Sequence, residues 1–289
     1  MFKKKKDQTY QSYWSISWNI FKKNKVAMVC LFIVILLCLI ALFAPLIAPY
    51  DPNKQVLTDR LMKPCGQHWF GTDDLGRDIF SRIIYGCRVS LSVGIISQII
   101  ATVIGYTMGV CAGYFGGKVD SVISFLILVF SSFPFLLFAM AIMFVLGPGL
   151  INLYLALGLL GWASTARLIR GDVMRLKKME YIDACKVSGG NSFRIIMKHL
   201  LPNCLSTLIV TVTLGVPNAI MSEASLSFLG LGVKAPMASW GSMISFSQPY
   251  IRSATYYSVI PGLAIIITVL AFNMLGDGLR DALDPKLRS

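Results

Sequence analysis

The chain has 289 residues, 55% of them hydrophobic and only 14% charged, with 27 Lys and Arg against 14 Asp and Glu for a net charge of +13. Soluble domains carry about 25% charged residues, so the composition excludes an ordinary soluble domain and places the chain among membrane proteins. A nucleic-acid reader would need a soluble basic face; long uncharged runs dominate instead, and no nucleic-acid partner is expected.

Residues 1–25 form a basic segment. The run from Val26 to Ile47 holds 22 residues without a charge. That exceeds the roughly 7–15 residues of a cleaved signal core and crosses about 30 Å of hydrocarbon, so 26–47 reads as a retained first span. The loop 48–88 carries the cluster Asp73, Asp74, Arg77, Asp78 and Arg82. Gly71-Thr72-Asp73 suits a turn followed by a capped helix. Two readings stay open for the cluster: solvated and free to dock a partner, or packed within a loop–helix fold. Further apolar stretches at 89–114, 119–146, 150–166, 204–226 and 257–276 bring the expected spans to six. In lipid the backbone must satisfy itself, so each reads as a helix. The expected organisation is an all-α membrane protein, with a core at 89–276 and a short tail at 277–289.

Within the second span Ala101, Gly105, Gly109 and Gly113 recur every four residues. Small residues at that spacing share a helix face and admit close approach of another helix. Pro134 is expected to kink or break the third span. Glu223 falls near the outer end of the fifth, where a structural hydrogen bond or ion pair and a direct substrate contact are both open. No CxxC pair occurs among the seven cysteines, and His68 and His199 have no partners at metal-ligand spacing. Cys65 and Cys87 fall on the same expected side, where a disulfide between them stays open.

Orientation follows from the basic residues. With the N-terminus inside, the inner segments hold 19 Lys and Arg and the outer ones 8. The positive-inside bias therefore places both termini in the cytoplasm.

The inner loop 167–203 differs from a simple connector. Its entry is basic, through Arg167, Arg170, Arg175, Lys177 and Lys178. Glu180-Tyr181-Ile182-Asp183-Ala184-Cys185 then suits a short helix with acidic residues at its positive end, and Gly189-Gly190 suits its stop. Phe193 to Leu200 reads as a second helix with 193, 196, 197 and 200 on one face, and Leu201-Pro202 returns to the membrane. On composition alone, a basic loop at the lipid surface fits as well.

The loop resembles the cytoplasmic signature of ABC importer permeases, Glu-Ala-Ala, three residues, Gly, then about a dozen residues to Leu-Pro. Here the triplet is Asp183-Ala184-Cys185, the glycine is Gly189 and the closing pair is Leu201-Pro202. Asp for Glu and Cys for Ala keep charge or size. Four further stretches resemble the C-type permeases of dipeptide, oligopeptide and nickel importers: His68 to Asp78, Glu223 to Gly232, Ser239-Trp240-Gly241, and Gly276 to Pro285.

The resemblance implies a type I ABC importer permease fold, with six spans and a cytoplasmic coupling helix. It implies a second homologous permease subunit, two cytosolic ATPase subunits or domains that bind ATP and Mg, and an extracytoplasmic substrate-binding protein. Glu180, Tyr181, Asp183, Ala184, Cys185, Gly189, Leu201 and Pro202 are the residues expected to engage the ATPase. The ATPase is expected on another chain, because Gly117-Lys118 is followed by Val119 and preceded by Ala112 where a P-loop needs glycine. No cofactor, metal or catalytic residue is expected here. Two other classes compete. An ion-driven transporter needs a carboxylate or His relay, for which only Glu223 offers itself. A membrane enzyme would have to use Asp73, Asp74, Asp78 and His68. Within the family, nickel import is the alternative to peptide import.

Overall fold

The computed structural model describes residues 13–283; positions 1–12 of the basic N-terminal segment and 284–289 of the tail, Asp284-Pro285 included, lie outside the described residues. The described chain is helical, with one isolated bridge between Thr72 and Asp78 and no named strand. Helix α1 (Tyr13–Lys23) ends at Asn24, whose side chain accepts from Ala27 N and caps α2 (Lys25–Leu42). A single turn, α3 (Ala44–Ile47), precedes an irregular segment, 48–78.

Helix α4 (Ile79–Phe115) is 37 residues long. The expected loop 48–88 therefore ends at Asp78, and its last ten residues are the first turns of α4. The cap explains the extension: Asp78 Oδ2 accepts from Ser81 N at 2.7 Å and Ser81 Oγ at 2.8 Å. The turn at Gly71-Thr72-Asp73 is thus followed by a helix whose cap is Asp78.

Helices α5 (Gly117–Ser132) and α6 (Phe135–Leu146) bend by 91° at Phe133-Pro134. Pro134 has no N–H to continue the helix and restricts the residue before it. Helix α7 (Leu150–Leu176) follows, then α8 (Glu180–Val187), the single turn α9 (Ser192–Ile195), and α10 (Leu201–Phe228). The short α11 (Trp240–Ser247) begins in a capping box, in which Ser239 and Ser242 satisfy each other's backbone N–H. Helix α12 (Thr255–Leu283) runs into the expected tail.

By length and composition four helical stretches can cross a membrane: α2, α4, the continuous 192–228 and α12; the bent α5–α6 pair makes a fifth. The sixth expected span, 150–166, is the first part of α7. At 27 residues α7 is long enough, but Asn152, Arg167 and Arg170 dilute its apolar character. It packs instead against α4 along its length. Helix α10 lies between α4 and α12, and α2 covers α4 and α12 from outside.

Candidate functional site

Three features on this scaffold bear on function: a seam of small residues, a long groove, and the helical loop between α7 and α10.

The seam joins α4 to α7. A Cβ on Gly105 would lie 2.6 Å from Thr165 Cβ, one on Gly109 2.7 Å from Ala166 O, and one on Gly113 2.9 Å from Arg170 O. The backbones therefore touch where side chains normally separate them. The seam is reciprocal: a Cβ on Gly158 would meet Ile100 at 2.7 Å, and one on Gly161 would meet Ala101 at 3.0 Å.

The groove encloses about 1420 Å³. Helix α10 forms one wall, with α4, α6 and α7 opposite and the ends of α7 and α12 at its mouth. Along α10 the wall carries Asn203, Thr207, Thr211, Asn218 and Ser222, spaced four or seven residues apart and hence on one face. Thr207 Oγ1 donates to Asp172 Oδ2 at 2.6 Å; Thr211 and Ser222 donate to carbonyls of their own helix at 2.7 and 2.8 Å. The lining is neutral except for Asp172's partner Arg175 and for Arg280, both near helix ends. The sequence signal for this stripe is its spacing within an apolar run.

In the loop, α8 stands on Ile182, which is buried with Val173, Leu176, Ile195, Leu200 and Cys204. Glu180 and Asp183 lie in its first turn, and Asp183 accepts from Lys186 Nζ at 2.7 Å. Tyr181, Asp183, Ala184 and Val187 are exposed, Val187 to 89%. Gly189 has φ +79°, the left-handed conformation expected at a helix stop. Gly190 packs closely: a Cβ there would lie 2.7 Å from Cys185 O and Sγ. Cys185 Sγ in turn lies 3.6 Å from His199 Nε2.

The second loop helix departs from the expected face. Ile195 and Leu200 are buried and Ile196 half-buried, whereas Phe193 is 72% exposed and Met197 is also exposed. Residues 196–200 form a π turn, in which Leu201 N donates to Ile196 O five residues back. Pro202 has no N–H to offer the preceding turn, and the wider turn absorbs it. The extra residue shifts the register and puts 195 and 200 on the inner side.

The charged cluster at 73–82 is packed and paired, not solvated. Asp73 accepts from Leu75 N and Arg77 N, both at 2.9 Å, and from Arg77 Nε at 2.6 Å. Arg82 pairs with Asp73 at 3.5 Å and donates to Pro52 O at 2.9 Å. Asp78 contacts His68 Nδ1 at 2.8 Å, and Tyr257 donates to Asp74 at 3.2 Å. The cluster braces segment 48–78 against α4 and α12. Cys65 and Cys87 are both free; Cys87 faces α2, with Sγ 3.5 Å from Leu37 O.

Glu223 is fully buried outside the groove lining. Ser227 Oγ donates to it at 2.6 Å and Ser90 Oγ at 3.4 Å, tying α10 to α4. Ser90 Oγ also accepts Trp240 N at 3.3 Å, which joins α11 to the same network. Glu223→Gln keeps one acceptor and adds a donor for these hydroxyls. Assembled complex and transport within about twofold of wild type are expected, whereas Glu223→Leu strands Ser90 and Ser227 and lowers complex yield. Equal yield from both variants, measured after purification, would contradict the structural role.

Residues 102–289 match the family model described as binding-protein-dependent transport system inner membrane component, and residues 12–64 match the N-terminal TM domain of oligopeptide transport permease C. The dipeptide transport system permease protein DppC of Bacillus subtilis is 46% identical over 278 residues, covering 96% of this chain and 87% of that protein. The oligopeptide transport system permease protein OppC of the same organism is 42% identical, covering 96% and 91%. The glutathione transport system permease protein GsiD of Pectobacterium atrosepticum is 41% identical, covering 98% and 95%. In fold, the described helices match a chain of the inward-facing MetNI methionine ABC transporter, with TM-score 0.58 and 19% identity over 71% of this chain and 98% of that one. This chain belongs to the family of binding-protein-dependent transport system inner membrane components.

Proposed function

We propose that the chain forms half of the membrane pathway of an ATP-driven importer of dipeptides and oligopeptides. The observation that carries this reading is near full-length identity of 46% and 42% to permeases named for dipeptide and oligopeptide transport. The groove supports it, because hydroxyls and amides match the donors and acceptors that every peptide backbone carries. The chain is a membrane permease subunit and not an enzyme; ATP hydrolysis belongs to separate ATPase subunits. A second permease subunit closes the groove, and two ATPases engage the loop 180–202. A binding protein delivers substrate to the opposite face. The nickel alternative is weaker: the groove lining contains no His or Cys, and no group of three His, Cys, Asp or Glu among the described residues is placed to hold a metal. Uptake of labelled dipeptide by the reconstituted complex, dependent on ATP and binding protein, is the expected result. Uptake of nickel but not peptide would overturn it.

The inner placement of the loop is part of the same proposal and rests on the 19-to-8 basic bias. In a Cys-free background, Lys186→Cys is expected to resist a membrane-impermeant thiol reagent added outside, while Lys63→Cys reacts. Labelling of Lys186→Cys from outside would invert the topology.

A further inference from the structure

The middle of the groove carries a polar cluster with unused hydrogen-bonding capacity. Ser97 is eighteen residues from either end of α4, and Gly215 lies at the middle of α10. The two helices meet there around Gln98. A Cβ on Gly215 would fall 2.2 Å from the Gln98 carboxamide, so the glycine makes the room that the amide occupies. Gln98 is 9% exposed; its Nε2 reaches Thr102 Oγ1 at 3.3 Å and Thr211 O at 3.4 Å, both long for an N–H···O bond. Ser97 is 1% exposed, and its hydroxyl has no hydrogen-bond partner among the described residues. Buried polar groups are nearly always paired, so an orphan in a cavity wall calls for a partner. Both residues line the groove.

The facing wall is complementary. Asn218 Nδ2 donates to Leu214 O at 3.2 Å, and Thr211 Oγ1 donates to Thr207 O at 2.7 Å. Those bonds use the hydroxyl proton of Thr211 and one amide proton of Asn218, leaving oxygen lone pairs for a bound molecule. No charged side chain of the lining belongs to the middle of a helix; Arg175 and Arg280 sit in the last turns of α7 and α12.

We propose that Gln98, with Ser97, Thr211 and Asn218, forms an uncharged hydrogen-bonding station halfway along the groove that takes the N–H, carbonyl and ammonium groups of a passing peptide. This rests on the importer reading above. The lone pairs of Thr211 and Asn218 accept from the peptide's N–H and ammonium groups. The loosely held Gln98 amide exchanges its two long bonds for the peptide carbonyl. Such a station holds a peptide by groups common to all peptides, so passage does not select for side-chain charge.

Adding a charge therefore tests it. The complete complex with its binding protein is reconstituted, and uptake of an Asp-containing dipeptide is compared with that of a Lys-containing one. Gln98→Glu is expected to lower the acidic-to-basic uptake ratio about tenfold, the effect of one unit charge a few ångströms away in a partly wet groove. Asn218→Asp is expected to shift it in the same direction; Asn218 is exposed to the groove, so this variant spares packing and decides the matter alone if Gln98→Glu fails to assemble. A purely structural role would slow both peptides alike. An unchanged ratio, with normal wild-type uptake, overturns the station and leaves the importer reading standing. Absence of peptide uptake by the wild-type complex overturns both.

Discussion

Gly109→Leu is expected to prevent assembly of the complex. At this position even a single Cβ would stand 2.7 Å from Ala166 O and 2.9 Å from Ile169 Cβ. Neither neighbour is the free end of a flexible side chain, so the helices must separate. Overpacking a filled core costs about 1–3 kcal/mol and occasionally more. A leucine driven between two backbones lies at the upper end, because separating α4 from α7 also loosens the contacts of Gly105 and Gly113 on the same face. Helix α7 is not itself among the stretches apolar enough to cross lipid alone, so it depends on this seam more than its neighbours do. Gly171 supplies the control. It lies on α7, and nothing stands within 4 Å of its Cβ position. Gly171→Ala should be neutral or should gain about 0.5–1 kcal/mol from helix propensity. Yield of intact complex by size exclusion separates the two. Wild-type yield and transport from Gly109→Leu would show that the seam is not required.

The seam also shows how far the sequence could be read. Its α4 side was legible, because four small residues at four-residue spacing mark one face of a helix whatever it touches. Its α7 side was not. Gly158 and Gly161 are three apart, and their meaning depends on which helix faces them, which is tertiary information. The apolar runs located the membrane helices but not their ends. Helix α4 begins at Ile79 because Asp78 caps it and because Asp73, Arg77 and Arg82 neutralise one another beneath segment 48–78. Hydropathy counts those charges as exposed. The break at Pro134 followed from backbone chemistry and appears as a 91° bend. The buried face at 193–200 departs from a 3.6-residue period because a π turn interrupts it. The groove stripe on α10 was visible in principle, but hydroxyls that bond to their own helix lower hydropathy only slightly. Only the packing shows which wall they line.

Gly189→Val is expected to abolish most transport while the protein still inserts and pairs normally. Gly189 holds φ +79°, and nothing lies within 4 Å of its Cβ position. The cost of a side chain is therefore backbone strain alone, about 1–2 kcal/mol for an L-residue in the left-handed region and more for a β-branched one. Asn tolerates that region, so Gly189→Asn should retain much of the activity. That graded pair distinguishes strain from steric conflict, which would penalise both. The strain acts where the proposed coupling would run, between α8 and the π turn that leads into α10 and its groove wall. Asp183→Lys addresses the same helix from its exposed side. The Asp183–Lys186 pair is 64% and 39% exposed, and such surface pairs contribute below about 1 kcal/mol, so losing it leaves α8 standing on Ile182. Lost function in Asp183→Lys then reports on contact with the ATPase and not on the fold of the loop. Both variants are expected to reach wild-type membrane levels and to lose about 90% of uptake, the tenfold that a loss of about 1.4 kcal/mol at one contact brings. ATP hydrolysis should no longer respond to loaded binding protein, or the ATPases should fail to co-purify. Full stimulation and full uptake in both variants would mean that the loop 180–202 is not the element through which ATP hydrolysis moves α10.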